Sequence, residues 1–200
     1  MVEIGGGLPE GAEAAAERLV ARDAAGLISF GLAGGLDPAL RAGALVVPAM
    51  VIEAGHSYAT DPALAARLGG TMAVRALAGT AVLATAAAKL AAHHATGAAI
   101  IDLESGAVAR VAARHGLPFA VLRAVCDPAS RTLPPLALTA LDAGGRINTG
   151  SVMAALLRQP GQIPALIGLA RDALRARAAL AHAVHRLDFR IPGSIASRHK

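Results

Sequence analysis

Apolar and polar positions along the chain predict short buried strands that alternate with helices. Mostly apolar runs predict strands at Leu27–Phe30, Ala44–Ile52, Val74–Val82, Ala98–Leu103 and Leu117–Cys126. Strands that are apolar on both faces and alternate with helices are typical of a mostly parallel sheet with helices on both sides. The predicted fold class is therefore α/β, with three layers, α/β/α, around a mostly parallel central sheet.

The predicted helices begin and end at residues that suit helix ends. The helix at Pro9–Ala25 has proline in its first turn, glutamates early and arginines late, which suits the helix dipole. Gly116 follows the helix at Gly106–His115, in the position that often adopts a left-handed conformation. The remaining predicted segments are helices at Thr85–His94, Ser151–Arg158 and Ile163–Leu187, and a loop at Arg131–Gly150. No domain boundary is evident, so residues 1–200 are predicted to form one domain with an irregular tail at residues 188–200.

The composition limits what the chain can be. Of its 200 residues, 54% are hydrophobic but only 2% are aromatic, so small aliphatic side chains form the predicted core of one domain. No uncharged stretch reaches the roughly 20 apolar residues that a membrane-spanning helix needs, and the first residues do not fit a signal peptide. The single cysteine, Cys126, excludes an internal disulfide and a multi-cysteine metal site, which fits a cytoplasmic location.

The net charge of +5 leaves two interpretations open. An arginine-rich composition explains it without any function, whereas attraction for phosphate or anionic lipid head groups is the functional alternative. Nucleic-acid binding is not expected, because the chain has no dense basic cluster and few aromatic side chains on which bases could stack. Arginines along the last predicted helix would suit contact with a membrane surface, although a solvated helix face explains them equally.

Two predicted strand ends offer a choice between a local structural role and a ligand site, because ligands of open α/β sheets bind beyond the carboxyl ends of the strands. Gly31, Gly34 and Gly35 either form a tight turn or let backbone amides approach a ligand. Their spacing fits neither a Walker loop nor the dinucleotide-binding motif. Glu104 either caps the following helix or accepts hydrogen bonds from the two hydroxyls of a ribose.

Asp127 ends the last predicted strand and precedes Pro128. The pair either forms a turn or a helix cap, or Asp127 is a general acid. In the second case, partial desolvation at the mouth of an apolar strand raises the pKa of the carboxyl group. Arg123 precedes Asp127 on the same strand and the same face. An Arg123 side chain that reached Asp127 would oppose this rise.

Taken together, these segments resemble the purine nucleoside phosphorylase and nucleosidase superfamily. The similarity runs through SFGLAGGLDPALRAGALVVP, which begins at Ser29, and IIDLESGAVARVAARHGLPFAVLRAVCDPAS, which ends at Ser130. In that family a glycine turn, a Met-Glu pair before a helix and a strand ending in Arg-Ala-x-Ser-Asp follow one another in this order. The Leu-Pro-Pro segment and RQPGQIPALIGLARDA, which begins at Arg158, are most similar to the branch encoded with hopanoid biosynthesis genes, which is assigned the removal of adenine from adenosylhopane.

The resemblance implies phosphorolytic cleavage of the N-glycosidic bond of an adenosyl compound, with adenosylhopane as the expected substrate. Asp127 would protonate purine N7, because adenine is a poor leaving group as an anion. Glu104 would hold the ribose hydroxyls, and Leu103 would line the sugar. Phosphate, or water in a nucleosidase, would attack C1′. The glycine segment would present amides near phosphate or sugar from Gly31, Ala33, Gly34 and Gly35.

The resemblance also implies weaker contacts and partners. Tyr58 is expected in a loop near the nucleoside, and Cys126 is a further possible contact. The run Gly5, Gly6 and Gly7 precedes a helix and is a second candidate anion cradle. Neither a metal nor a cofactor is expected, and inorganic phosphate would be the co-substrate. A homo-oligomer is expected, and an adenosyl lipid would suit the aliphatic composition and a peripheral contact with the inner membrane.

The chain also departs from the family pattern. Leu32 stands where relatives often have Ser or Thr, Leu103 replaces a methionine, and Cys126 replaces a serine. Met1 is expected to begin inside the second strand of the family fold, so that the first strand would be missing and nucleophile binding altered. Two alternative functions therefore stay open: a hydrolytic nucleosidase of the methylthioadenosine/S-adenosylhomocysteine type, and a non-catalytic nucleoside-binding remnant.

Overall fold

The computed structural model describes residues 1–69, 72–139 and 160–186. The strands are β1 Leu27–Gly35, β2 Leu45–Val46, β3 Pro48–Glu53, β4 His56–Ala59, β5 Met72–Ala78, β6 Ala98–Asp102 and β7 Phe119–Asp127. The helices are α1 Pro9–Val20, α2 Pro62–Arg67, α3 Ala86–Thr96, α4 Ser105–His115, α5 Pro135–Thr139 and α6 Ile163–Arg186, with a 3-10 turn at Pro160–Gln162. The predicted helix at Ser151–Arg158 and the predicted tail at residues 188–200 lie outside the described residues.

The described strands form one sheet of seven strands in the order β2-β7-β1-β6-β5-β3-β4. Strand β1 runs parallel to β7 along most of its length, and β6, β5 and β3 are parallel to one another. These two parallel groups meet where the end of β1 pairs antiparallel with β6. The prediction of an α/β fold around a mostly parallel central sheet is confirmed.

Strand β7 separates the two helical layers, because its successive side chains point to opposite faces of the sheet. Phe119, Val121 and Val125 pack in a core with residues of α1 and α4. Leu122 and its neighbours on the other face pack against α2 and α6. A helix layer therefore covers each face, which is why nearly all of β7 is buried and apolar.

Helix ends follow local sequence signals. The Thr85 side chain accepts a hydrogen bond from the Ala88 amide at 3.1 Å and begins α3. Gly97 and Gly116 end α3 and α4 in the left-handed conformation, with φ of 64° and 63°. Among the described residues, no helix is both long enough and apolar enough to span a membrane.

Several segments differ from their prediction, and one of them is α5 at Pro135–Thr139, a helix within the predicted loop at Arg131–Gly150. The single strand expected at Ala44–Ile52 is two strands, because β2 pairs with β7 whereas β3 pairs with β5, farther across the sheet. Strand β4 and helix α2 were predicted as neither strand nor helix. Helix α2 has a recognisable start, since the Asp61 carboxylate caps it by accepting a hydrogen bond from the Leu64 amide at 2.8 Å, and Pro62 follows.

Candidate active site

Asp127 lies at the end of β7, beside Gly34 of β1. Its side chain is buried, with 7% of the residue exposed. Oδ2 accepts a hydrogen bond from Lys89 Nζ at 2.6 Å. Oδ1 is buried and has no hydrogen-bond partner among the described residues. Buried polar atoms are nearly always hydrogen-bonded, so Oδ1 has capacity for a partner beyond the described residues, such as water or a ligand.

Lys89 was not predicted as a site residue. It lies on α3 and is 1% exposed. Its ammonium also donates to the backbone oxygens of Pro128 at 3.2 Å and Arg131 at 2.9 Å. No local sequence signal marks Lys89: its burial is evident only in the structure, where Ala92, one helical turn later, packs against the core and Lys89 lies on the same buried face of α3.

Two neighbouring groups at the end of β7, the Cys126 thiol and the Asp127 carboxyl, have raised pKa values. Burial raises the pKa of the Asp127 carboxyl and outweighs the opposing effects of the Lys89 ammonium and the Arg131 guanidinium. Burial, with a contribution from the Asp127 charge, raises the pKa of the Cys126 thiol to about 11. A thiol with this pKa stays protonated at neutral pH, which makes Cys126 a poor nucleophile.

Arg123 points away from Asp127. Its fully buried guanidinium forms a two-point ion pair with Asp102, with Nε 3.1 Å from Oδ2 and Nη2 3.2 Å from Oδ1. Nη2 also donates to the hydroxyl oxygens of Ser29 at 2.7 Å and Ser105 at 3.1 Å. Since no hydrogen bond joins Arg123 to Asp127, the contact that would have lowered the Asp127 pKa is absent from the described structure.

Asp102, which sequence reasoning missed, caps α4. Its Oδ1 accepts hydrogen bonds from the Glu104 amide at 2.8 Å and the Ser105 amide at 2.7 Å. Burial alone would raise the pKa of Asp102, but Arg123 and the hydrogen bonds from Ser105 and the two amides outweigh it and hold the pKa below its usual range. The capping role considered for Glu104 thus belongs to Asp102, and the Glu104 side chain is left for another partner.

The Glu104 carboxylate lies between the start of the chain and Arg123. Oε1 accepts a hydrogen bond from the Gly7 amide at 2.9 Å, and Oε2 is 3.7 Å from Arg123 Nη1. Gly6 and Gly7 have φ of 80° and 84°, a left-handed backbone that glycine adopts readily. A Cβ on Gly5 would lie 2.6 Å from Glu104 Oε1, so this close approach also requires glycine. The amide of the predicted anion cradle at Gly5–Gly7 therefore already faces an anion, the Glu104 carboxylate.

The turn predicted at Gly31–Gly35 is wrong. These residues continue β1, because they pair with β7 as far as the register of Gly34 with Asp127. Glycine is required at Gly31, where a Cβ would collide with Arg123 Nη1. A Cβ on Gly34 would meet Ile101 Cγ2 at 3.2 Å and would lie at an ordinary contact distance, 3.8 Å, from Asp127 Oδ2. Ala33 is buried in the core, and Gly35 pairs with Ile100. The Arg123 guanidinium thus lies against Gly31, and the Asp127 carboxylate lies near Gly34.

Glu104 and Asp127 lie near different positions of β1. Strand ends that are all parallel, as the sequence predicted, would have placed the two residues at one common edge of the sheet. Because β6 pairs antiparallel with β1, its carboxyl end lies near Gly31, whereas the end of β7 lies beside Gly34. Three residues of extended strand separate these positions, which corresponds to about 10 Å. The two carboxylates therefore lie near different positions of the same strand, β1.

The other predicted contacts have the following positions. Leu103 follows β6 and is half-buried. Tyr58 lies in β4 and not in a loop; it pairs with Val51 and packs against the core. Cys126 is partly buried, with Sγ 3.5 Å from the Ala33 carbonyl oxygen. The expected contacts of these three residues with a nucleoside stay predictions.

The sequence matches the family model described as the phosphorylase superfamily over residues 1–158. No curated protein matches the chain.

Solved structures share the fold. S-adenosylhomocysteine nucleosidase from Streptococcus pyogenes in complex with 5-methylthiotubericidin superposes with a TM-score of 0.64 at 18% identity, covering 89% of this chain and 73% of that one. For 5′-methylthioadenosine/S-adenosylhomocysteine nucleosidase from Neisseria meningitidis in complex with methylthio-immucillin-A, the TM-score is 0.63 at 18% identity, over 92% of this chain and 78% of that one. Futalosine hydrolase of Helicobacter pylori gives a TM-score of 0.60 at 16% identity, with 89% and 76% covered.

Proposed function

Because the chain belongs to the phosphorylase superfamily, we propose that it is an enzyme that cleaves the N-glycosidic bond of a purine nucleoside. Asp127 is the acid in this proposal, and Glu104 binds the ribose. The observation that carries it is Oδ1 of Asp127, a buried oxygen without a partner among the described residues, on a carboxyl group whose pKa is raised by burial. Such a group retains a proton to higher pH than an exposed aspartate and can give that proton to a bound base.

The chemistry follows from the charge that develops on the purine. As the bond from C1′ to N9 breaks, its electron pair moves into the purine ring. The proton of Asp127 moves to N7, so that the base leaves neutral and Asp127 becomes a carboxylate. The oxygen of phosphate or water forms the new bond to C1′. An attacking water also releases a proton to solvent, and Asp127 takes up a proton from solvent before the next turnover. Lys89 Nζ, 2.6 Å from Oδ2, faces the negative charge that Asp127 then carries.

Glu104 suits the ribose end of the substrate. A carboxylate oxygen has two lone pairs, so Oε1 can accept a ribose hydroxyl beside the Gly7 amide, and Oε2 can accept the second hydroxyl. In this proposal the diol lies toward Gly31, near Glu104, and the base lies toward Gly34, beside Asp127.

Within this function, we propose phosphate as the nucleophile and an adenosyl lipid, adenosylhopane, as the substrate. The resemblance of the C-terminal segments supports this choice. An apolar groove of about 400 Å³ adds support, because its lining includes Phe30, Leu180 and Val184, and Phe30 immediately precedes Gly31. The hydrocarbon of the substrate would lie in this groove. A cytoplasmic homo-oligomer in contact with the inner membrane completes the proposal and stays a prediction.

The second candidate is a hydrolytic nucleosidase, in which water replaces phosphate. The solved structures that share the fold favour it, because they include nucleosidases and a hydrolase. The two candidates share the roles of Asp127 and Glu104 and differ only in the nucleophile and in the group attached to the 5′ carbon.

The test is release of adenine, followed by chromatography. Methylthioadenosine, S-adenosylhomocysteine and adenosylhopane are each incubated with the protein, with and without phosphate. Asp127→Asn removes the acid, and Asp23→Asn is the matched control at an exposed residue with φ of 56°, which asparagine tolerates. Loss of a positioned general acid is expected to reduce kcat by about 10²- to 10⁴-fold, and the control is expected to retain the wild-type rate.

Release that requires phosphate supports the phosphorylase, and release from adenosylhopane in preference to the small nucleosides supports the lipid substrate. Release in the absence of phosphate identifies a hydrolytic nucleosidase. Binding of the nucleosides without any release overturns the enzymatic proposal and leaves the non-catalytic binding protein.

A further inference from the structure

The Lys89 ammonium has a complete set of partners. It carries three donors, and it donates to Asp127 Oδ2, Pro128 O and Arg131 O at 2.6, 3.2 and 2.9 Å. With 1% of the residue exposed, it has no access to bulk water. A buried ammonium is costly unless it is paired and hydrogen-bonded, and all three of its partners here belong to Asp127 and the turn that follows it.

The bond to Lys89 determines which oxygen of Asp127 can carry a proton. An ammonium donates hydrogen bonds and accepts none, so the oxygen that faces it must be an acceptor. Oδ2 faces Nζ, whereas Oδ1 has no partner among the described residues. A neutral Asp127 therefore carries its proton on Oδ1.

Lys89 is also the cation that contacts Asp127 directly. Arg131, from the turn after β7, lies near enough to lower the Asp127 pKa, but its guanidinium is hydrogen-bonded to Asp172 of α6. Asp172 itself acts in the opposite direction and raises the Asp127 pKa. The adjacent Cys126 thiol is uncharged near neutral pH. Removing Lys89 would thus leave the Asp127 carboxylate without its hydrogen-bonded countercharge.

We infer that Lys89 is a positioning residue that places the acidic proton of Asp127 on Oδ1, toward the substrate, and stabilises the carboxylate once the proton has left. This inference rests on the proposed function, in which Asp127 is the acid. It adds a residue from a separate helix to the reaction and assigns the two oxygens of Asp127 different tasks. Oδ2 is the anchor and Oδ1 is the donor.

The inference is tested first without turnover. Aspartate labelled with ¹³C at the carboxyl carbon is incorporated into the full chain, and the Asp127 signal is identified by its loss in Asp127→Asn. Its titration is followed by NMR in the wild type and in Lys89→Met, which has a similar length and no charge. Arg171→Met is the control, because it removes one positive charge from an exposed position of α6. The Asp127 pKa is expected to rise in Lys89→Met and to stay unchanged in Arg171→Met.

The second test is the pH dependence of adenine release. In Lys89→Met, kcat is expected to fall by about 10-fold or more, a part of the whole general-acid contribution. The high-pH limb of the profile, where Asp127 loses its proton, is expected to move to higher pH. When Lys89→Met is combined with Asp127→Asn, the double variant is expected to have nearly the same kcat as Asp127→Asn alone, because Lys89 acts through Asp127. A mere packing defect lowers kcat without moving the limb.

An unchanged Asp127 pKa in Lys89→Met overturns the inference, and so does a fall in kcat with an unmoved pH limb. If Lys89→Met does not fold, Lys89→Gln takes its place, since its amide can still donate a hydrogen bond but carries no charge. Absence of adenine release by the wild type would overturn the proposed function, and the NMR titration would still decide whether Lys89 controls the ionisation of Asp127.

Discussion

Two buried ion pairs lie on either side of β1, and they differ in how completely their carboxylates are bonded. Both oxygens of Asp102 accept hydrogen bonds, from the Arg123 guanidinium, from Ser105 and from the Glu104 amide. Asp127 accepts a bond from Lys89 on one oxygen, and its other oxygen is open among the described residues. The first carboxylate holds elements together, and the second has capacity left for a ligand.

The difference in bonding sets the direction of each pKa. Burial acts on both carboxyl groups in the same direction and raises their pKa values. At Asp102 the opposing contacts outweigh burial, so its pKa is lowered, whereas at Asp127 they do not, so its pKa is raised. One fold thus keeps a carboxyl group with a lowered pKa and one with a raised pKa on the two strands that flank β1. The number of hydrogen bonds that each carboxylate accepts, more than its burial, separates the two.

The largest expected effect is that of Arg123→Met. This change leaves the buried Asp102 without its countercharge, so the free energy of unfolding should fall by about 3–5 kcal/mol. Urea denaturation measures it. Arg22→Met, which removes a partner of Glu3 at an exposed site, is the control and should cost far less, because exposed ion pairs contribute little to stability. Similar losses in the two variants would contradict the structural importance of the Arg123 cluster.

A smaller loss of stability is expected when alanine replaces the glycine beside each ion pair, Gly31 near Arg123 and Gly34 near Asp127. In Gly31→Ala the new Cβ collides with Arg123 Nη1, and Arg123 is fixed by its hydrogen bonds, so stability should fall by about 1–3 kcal/mol. In Gly34→Ala the nearest atom is Ile101 Cγ2 at 3.2 Å, which can yield more easily. The midpoint of urea denaturation ranks the two, and an equal or greater loss at Gly34 would argue against a rigid Arg123.

The contributions of Asp127 and Asp102 to stability should change in opposite directions with pH. Asp127 has a raised pKa, so it stabilises the fold at low pH, and this stabilisation is lost as pH rises from the ordinary aspartate value of about 3.9 through the raised value. Asp102 has a lowered pKa, so its contribution is present above about 3.9 and is lost as pH falls through the lowered value.

The comparison of the wild type with Asp127→Asn in a series of urea denaturations isolates the first effect. Their difference in unfolding free energy should change by at most about 1.4 kcal/mol per pH unit within that window. An advantage of the wild type that grows with rising pH would contradict the raised pKa. Asp23→Asn, at an exposed site, should show no such slope.

The smallest expected effect is that of Ser29→Ala. The hydroxyl of Ser29 accepts from Arg123 Nη2 at 2.7 Å, but Nη2 keeps Asp102 and Ser105 as partners. The cost should therefore be about 1 kcal/mol, that of one hydrogen bond. Ser57→Ala, at an exposed position of β4, is the control for thermal denaturation. A loss as large as that of Arg123→Met would mean that the cluster cannot tolerate any missing member.

The sequence predicted those parts of the fold that depend on neighbouring residues. The apolar run that became β7 and the glycine that ends α4 are local signals, and both predictions are confirmed. The pairing of β1 with β6 is antiparallel although most of the sheet is parallel, and no local pattern encodes that choice. The expected absence of a first strand stays a prediction.

The candidate site was predicted only in part. Asp127 and Glu104 stand out because they end apolar runs. Lys89 and Asp102 do not, since the charged partner of each is distant along the chain: Asp127 is 38 residues from Lys89, and Arg123 is 21 residues from Asp102. Arg123 lies on the same strand as Asp127. Its orientation toward Asp102 could be known only from the sheet order, in which β7 and β6 flank β1, and from the packing of α4 against β7.

The bonds of the site also determine when the site can form. Arg123 meets Ser29 across 94 residues of sequence, and Gly7 meets Glu104 across 97. Such distant pairings close late and slow the folding of a domain. Ser29, Asp102 and Ser105 all precede Arg123 in the chain, so none of them can bond to it until β7 has been made. A chain that stops before β7 therefore lacks both Arg123 and Asp127.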